Sequence, residues 1–202
     1  MQGKILVVSG PSGCGKSSLI NEVLKSQKDL YFSLSCTTRE IREGEKDGVN
    51  YHYISKEQFE KEIKDGEFLE WAKVHDNYYG TSLKPIYKAL NEGKLVILDI
   101  DVQGHMIVKD KFKEILTSVF VTTPNKRQLQ KRLLHRATDS KETISKRLQN
   151  AQKEMSRICE YDYLLINDKF NLALNSFKAI VQAARLKIYN KEIDSFINEW
   201  KK

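Results

Sequence analysis

The sequence predicts an α/β fold: a parallel sheet covered by helices on both faces, three layers in all, with a mixed α/β lobe inserted early and a helical lid late in the chain. Three observations predict it. Short runs rich in β-branched residues, apolar on both faces, alternate with helical patterns. That rhythm breaks between Tyr31 and Ser82, where short strand-like pieces sit among glycine-bearing loops. Finally, positive charge concentrates between Lys126 and Arg157, on segments of helical period.

The elements follow in order. Lys4–Ser9 is a strand buried on both faces, and Lys16–Ser26 has a helical pattern. Tyr31–Ser35, Tyr51–Ile54 and Phe68–Val74 are strand-like, Lys56–Lys64 is helical, and polar aromatics cluster at Asn77-Tyr78-Tyr79-Gly80-Thr81. Leu83–Asn91 is a helix, and Lys94–Asp99 and Leu116–Thr122 are buried strands. Helices at Gln128–His135 and Lys141–Ile158 precede a strand at Tyr163–Ile166. Leu172–Tyr189 closes the series, with Leu174, Phe177, Val181, Ala184 and Ile188 marking one apolar face. The expected division is a core of residues 1–34, 83–124 and 160–202, a lobe of 35–82 and a lid of 125–159.

Composition narrows the class. Of 202 residues, 40% are hydrophobic and 30% charged, with 3 prolines and 10 glycines, which suits one globular unit with a sizeable core and excludes disorder or a linker array. No apolar run approaches the ~18 residues a membrane span needs, and the N-terminus lacks a signal-peptide pattern. Cys14, Cys36 and Cys159 are odd in number and lack metal-ligand spacing, so a reducing cytoplasm is expected. The formal charge is +7, and the 10 basic and 3 acidic residues between Lys126 and Arg157 account for all of it. Confinement to one window, without an aromatic stacking platform, points to a small anionic ligand rather than nucleic acid.

Gly10-Pro11-Ser12-Gly13-Cys14-Gly15-Lys16-Ser17 matches G-x-x-x-x-G-K-[ST] between an apolar strand and a helix, the context this motif requires. Glycines let backbone N–H groups turn inward around phosphate, and the helix N-terminus adds favourable potential. Lys16 would reach the β- and γ-phosphates and the Ser17 hydroxyl would ligate Mg²⁺, with Ser18 beside it on the ATP side. Asp99, at the carboxyl end of a buried strand, would hold a water of Mg²⁺ or, more plainly, cap the next helix. Cys14 carries two readings: a thiol activated by the helix N-terminus and Lys16 and protected by nucleotide, or a buried, inert residue.

Ser35-Cys36-Thr37-Thr38-Arg39, Arg42, Gly44-Glu45, Gly48 and Tyr51 are followed by Glu67-Phe68-Leu69-Glu70-Trp71-Ala72, Asn77–Thr81, Asp99-Ile100-Asp101-Val102-Gln103-Gly104 and Lys131–Arg136. This ordered set resembles the guanylate kinase family from the phosphate loop to Asn167-Asp168. The resemblance implies a P-loop core, a GMP-binding lobe, a helical lid and the reaction ATP + GMP ⇌ ADP + GDP, with dGMP as a second acceptor. It implies that Ser35, Arg39, Arg42, Tyr51 and Tyr79 hold the GMP phosphate. Glu70, Gly80, Thr81 and Asp101 would surround guanine or its sugar, with Asp99 near Mg²⁺. Arg132, Arg136 and Arg147 would close over the transferring phosphoryl group, and Asn167 with Asp168 would line the adenine pocket. Cys14 departs from the small hydroxyl residue or alanine frequent at its position.

Residue chemistry fits these roles. Arginine forks suit a phosphate dianion, and tyrosine hydroxyls add oriented hydrogen bonds. Glu70 can accept from guanine N1–H and the 2-amino group while the Thr81 hydroxyl donates to O6; adenine would set a lone pair against Glu70. Taken singly, each residue has a plainer role: Arg39 or Arg42 as a solvated arginine, Tyr51 as core, Glu70 as the polar face of a strand, the lid arginines as a solvated helix face. Rival readings are a phosphopeptide-binding module on the same scaffold, which would have a degraded phosphate loop, and a kinase for another nucleoside monophosphate. The chain would be a monomer or a homodimer.

Overall fold

The computed structural model describes residues 3–74, 76–135, 141–188 and 190–202. The chain runs β1 (Lys4–Ser9), α1 (Lys16–Ser26), β2 (Leu30–Phe32), β3 (Cys36–Thr37), β4 (His52–Tyr53), α2 (Lys56–Lys64), β5 (Phe68–Val74), β6 (Asn77–Ser82) and α3 (Leu83–Asn91). It continues through β7 (Leu95–Asp99), α4 (Val102–Phe112), β8 (Leu116–Thr122), α5 (Lys126–His135), α6 (Lys141–Met155), β9 (Tyr163–Ile166), α7 (Phe170–Arg185) and α8 (Asn190–Trp200). A 3₁₀ turn, Ile158–Glu160, links α6 to β9.

Five strands form a parallel sheet in the order β2-β7-β1-β8-β9. β1 is its centre, and all six of its residues are buried. Because side chains alternate across a strand, Leu6 and Val8 face one apolar cluster with α1 and α7, whereas Ile5 and Val7 face another with α3 and α4. Two covered faces produce the continuous apolar runs seen in the sequence. The smaller sheet, β4-β3-β6-β5, is mixed and lies wholly between residues 36 and 82. Its core is small: Phe59 of α2 stacks on Phe68 at 4.2 Å and on Tyr78 at 5.2 Å, with Cys36 beside them.

Two readings from the sequence change, and one helix, α4, has no reading in the sequence. Tyr31–Ser35 is not one strand of the lobe. Leu30–Phe32 joins the core sheet beside β7, while Cys36–Thr37 enters the small sheet. Tyr31 packs on one core cluster and Leu30 and Phe32 on the other, which fixes β2 to the core. Helix α4 carries its buried face on Gly104, His105, Val108 and Phe112, so a glycine and a histidine replace half of the expected apolar stripe. The last core helix ends at Arg185 and buries Ala173, Phe177, Ile180, Val181 and Ala184, whereas Ile188 is exposed; Tyr189 lies outside the described residues.

The two cores should fail separately. Phe177→Ala in the main core should cost about 3–5 kcal/mol and lower the global unfolding midpoint. Phe59→Ala should instead remove hydrogen-exchange protection from β3–β6 first, with the parallel sheet still protected.

Candidate active site

The phosphate loop joins β1 to α1 in a shape only glycine tolerates. Gly10, Gly13 and Gly15 have φ of 139°, 90° and 97°. A Cβ on Gly10 would stand 1.9 Å from the Val121 carbonyl oxygen, and one on Gly15 2.4 Å from Asn167 Nδ2. No side chain caps α1, so its first N–H groups face the loop and can meet an anion. Lys16 Nζ donates to the Gly10 carbonyl at 2.6 Å and lies 3.8 Å from Asp99 Oδ1. Burial raises the Asp99 pKa and Lys16 opposes that shift. Ser12, Ser17 and Ser18 are exposed along the loop and the first turn, while Pro11 is buried.

Cys14 corrects the activated-thiol reading. Its side chain is fully buried in the core with Leu19, Leu129 and Leu133. Burial raises its pKa, and this outweighs the lowering by Lys16. A helix N-terminus stabilises a thiolate only where the sulfur faces that end, and here the sulfur faces the apolar layer.

On the lobe side, Ser35, Glu70, Tyr79, Gly80, Asp99 and Asp101 line one cleft of about 200 Å³, completed by Ala72, Ile100 and Gly104. A bulge in β5 sets this up. The register with β6 shifts between Phe68 and Glu70, so Phe68 enters the lobe core, Leu69 the main core, and Glu70 stands opposite Thr81. The Thr81 hydroxyl donates to Glu70 Oε1 at 2.5 Å, and Thr81 is buried. Its proton therefore serves Glu70, and donation to a base O6 would require the hydroxyl to rotate. Burial raises the Glu70 pKa, Thr81 lowers it, and Asp101 raises it further. Asp101, not Asp99, is the helix cap: Asp101 Oδ1 accepts from the Gln103 and Gly104 N–H groups at 3.0 and 2.8 Å.

Arg39 is linked to this cleft through Tyr51 and Tyr79, of which Tyr79 lines it. Its guanidinium lies 5.7 Å from the Tyr51 ring centroid, and Tyr51 meets Tyr79 edge to face at 6.0 Å. Glu45 holds it: Arg39 Nη2 donates to both Glu45 oxygens at 2.9 Å, and the Tyr53 hydroxyl and Arg42 N–H add bonds to Oε2 at 2.8 and 2.9 Å. These donors, the Arg42 N–H foremost, lower the Glu45 pKa to about 2. Sequence reasoning quoted Glu45 in a motif but gave it no role. Arg42 itself is exposed and does not line the cleft.

On the other side of the loop, Asn167 is buried, its Nδ2 donates to the Cys14 carbonyl at 2.8 Å, and its Oδ1 lacks a partner. That oxygen is closed off from solvent among the described residues, so it is an orphan of the packing and not an open binding group. Asp168 accepts from Gln128 Nε2 at 2.8 Å beside a hollow of about 410 Å³ bordered by Pro124, Asn125 and Lys131. Arg132 donates to the carbonyls of Cys14 and Asn167 at 3.1 and 2.7 Å, so it braces the loop instead of reaching over it. Arg147 does reach over: its Nη1 donates to Ser12 Oγ at 2.5 Å. Arg136 lies outside the described residues. Glu154 on α6 is a further group that sequence reasoning missed; burial raises its pKa and Lys16 lowers it. Among the described residues no three His, Cys, Asp or Glu side chains gather as a metal cage.

Comparison with known proteins places this geometry. The family model described as guanylate kinase matches residues 2–184, which leaves α8 outside. The chain is 52% identical to a guanylate kinase of Sulfurimonas denitrificans over 98% of its own length and 96% of the relative's. It is 49% identical to one of Campylobacter jejuni, across 99% and 98% of the two chains. Its structure resembles the crystal structure of guanylate kinase from Anaplasma phagocytophilum, with a TM-score of 0.70 and 30% identity over 92% of this chain and 87% of that one.

Two outcomes follow from the charges. Iodoacetamide at neutral pH should modify exposed Cys159 and leave Cys14 unlabelled with or without nucleotide, as read by peptide mass spectrometry. Glu45 ionises more easily folded than unfolded, so its contribution is complete above its ordinary pKa of 4.5 and is lost as pH falls through about 2. Exchange protection of residues 39–53 should fade across that window, and Glu45→Gln should abolish the dependence.

Proposed function

The chain belongs to the guanylate kinase family, and from that premise we propose how its residues divide the work. The enzyme catalyses ATP-dependent phosphorylation of GMP to GDP. The observation that carries our assignment is the double position of Asp99, which lines the lobe-side cleft and stands 3.8 Å from Lys16. A donor bound on the loop and an acceptor bound in the cleft then meet at one carboxylate.

ATP lies with its phosphates in the loop of residues 10–17 and against Ser18, and its adenine beside Asn167 and Asp168. GMP lies under residues 35–82: its phosphate against Ser35, Arg39, Arg42, Tyr51 and Tyr79, its base against Glu70, Gly80 and Thr81, with Asp101 beside the base or sugar. Both ends of dGMP are read alike, which makes it a second acceptor. Phosphate would draw Arg39 partly from Glu45, whose bonds to the Arg42 N–H and Tyr53 keep the loop in shape meanwhile. Mg²⁺ would be held by the Ser17 hydroxyl and, through water, by Asp99; hard oxygen donors few in number suit an ion carried mainly by nucleotide phosphates. Bound there, it would neutralise charge between the β- and γ-phosphates.

The acceptor is already a phosphate oxyanion, so no general base is required. Lys16 leaves the Gly10 carbonyl for the phosphates, and Arg136 and Arg147 of the lid, residues 125–159, supply charge around the transferring group, joined by Arg132 once its fork leaves the Cys14 and Asn167 carbonyls. Closure of lobe and lid excludes water that would otherwise hydrolyse ATP. Three free cysteines, and no helix among the described residues able to cross a membrane, support a cytoplasmic setting.

Lys16→Met should reduce kcat by orders of magnitude with GMP binding far less affected. In a kcat/KM matrix over GMP, dGMP, IMP and AMP, Glu70→Gln should cost about 1–3 kcal/mol on GMP and shrink the GMP-to-AMP and GMP-to-IMP ratios. Arg42→Ala should weaken all four alike. Only ionised Glu70 accepts two N–H groups, so wild-type kcat/KM for GMP should fall as pH drops through the raised Glu70 pKa, and Glu70→Gln should lack that limb. Unchanged ratios in Glu70→Gln would move base reading to Asp101.

A further inference from the structure

A second hollow lies where the lobe joins the core, and it shares no residue with the cleft of Glu70 and Asp99. Its volume is about 540 Å³, inside the range of about 300–1,000 Å³ usual for ligand sites. The core side is built from Tyr31 of β2, Lys84 and Lys88 of α3, and Lys94 just before β7. The lobe side is His52 of β4. Phosphoryl transfer as described above uses none of these residues.

Three ammonium groups and an imidazole thus line this hollow with one carboxylate, that of Glu92. Glu92 stands 2.6 Å from Lys94, and Lys94 foremost, with Lys88 behind it, lowers its pKa. Lys84 lies 3.2 Å from Glu67, whose carbonyl accepts from the Leu83 N–H, so this pair runs from α3 to the entry of β5. Lys88 is exposed on the same face of α3 and makes no ion pair among the described residues. Exposed pairs are weak, so a multivalent anion can take these lysines from their carboxylates. The lysine stems and the Tyr31 ring add an apolar wall that suits a nucleobase.

We propose that this hollow is a second anion site, in which a phosphate chain, free or carried by a nucleotide, lies across Lys84, Lys88, Lys94 and His52 and ties the lobe to the core. Ammonium groups meet phosphate as point charges, and a chain of phosphates offers oxygens to several at once. His52 links the site to the cleft: its backbone N–H donates to the Ser35 carbonyl at 2.9 Å, and Ser35 lines the cleft. Contacts made to both sides in this setting are strained or broken when the lobe closes. The anion therefore opposes closure, and GMP opposes the anion by the same factor. This linkage rests on the placement of GMP under residues 35–82, whereas the anion site itself does not.

The probe is inorganic tripolyphosphate at fixed free Mg²⁺, titrated into the full chain and followed by NMR. The His52 ring signals and the amides of Gly10 and Gly15 should shift as two separate sites. Lys88→Glu should weaken the His52 response about tenfold, with the loop response and the kcat/KM for GMP measured without probe unchanged. A His52 signal that stays still, or that responds equally in Lys88→Glu, would overturn the site. Substituting GTP separates the two sources: tighter binding at His52 than tripolyphosphate assigns a nucleotide, and equal binding a free phosphate chain. At saturating ATP, tripolyphosphate should raise KM for GMP about fivefold in the wild type, and far less in Lys88→Glu. Binding at His52 with the same KM change in both proteins would overturn the linkage alone. GMP-induced shifts at Ser35 and Glu70 check the placement of GMP separately.

Discussion

The approach of the phosphate loop to the end of β8 is the constraint on which the rest of the site depends. At Gly10 the backbone passes so near Val121 that a single carbon would clash at 1.9 Å, and at Gly15 it meets Asn167. This closeness lets one peptide, that of Cys14, accept from both Asn167 and Arg132. It also brings Gly13 against Leu133 of α5, where a Cβ would lie 2.8 Å from Cδ2. The glycine-rich loop, the Asn167 side and α5 are therefore one packed unit. The Cys14 side chain plugs the core beneath it, which explains why a residue in a motif known for chemistry serves packing.

Around that unit the charges are arranged in opposed pairs. Asp99 and Glu70 of the cleft, and Glu154 on α6, have pKa values raised by burial. Such groups are costly to ionise unless a cation or donor stands near, and Lys16 and Thr81 fill that role. Arg39 is treated in the reverse sense: Glu45 holds its fork in place over two tyrosine rings. A cation oriented in advance loses less entropy when a phosphate arrives. In the proposed complex the cost is competition, since a phosphate would share Arg39 with Glu45.

The lobe differs from the core in kind. Its sheet is mixed, with β3 and β4 only two residues long, and its cluster of buried residues is built on Phe59, Phe68 and Cys36. The parallel sheet has two extended clusters, one on each face. Leu69 joins the two, lying on β5 of the lobe sheet yet buried in a core cluster. The bulge that sends Leu69 inward also aims Glu70 at the cleft. The orientation of Glu70 and the attachment of the small sheet to the core thus share one irregularity in one strand.

By itself the sequence determined what depends on local rules. Short apolar runs located β1, β7, β8 and β9, and the spacing of Gly10, Gly13, Gly15 and Lys16 announced a phosphate loop before any contact was known. Helix α2 is legible to the residue, because Ser55 caps it and Phe59 marks its inner face. Tertiary structure decided whatever depends on a distant neighbour. The membership of β2 in the core sheet rests on its pairing with Leu95–Ile97, and α4 hides behind Gly104 and His105, buried by what packs on them. Glu45 gains its role only where the chain returns it to Arg39 and Tyr53, and the Cys14 thiol is silenced by leucines more than a hundred residues away. Periodicity and turn chemistry act over a few residues and are written in order along the chain; burial and charge pairing act through space, and only the fold brings their partners together.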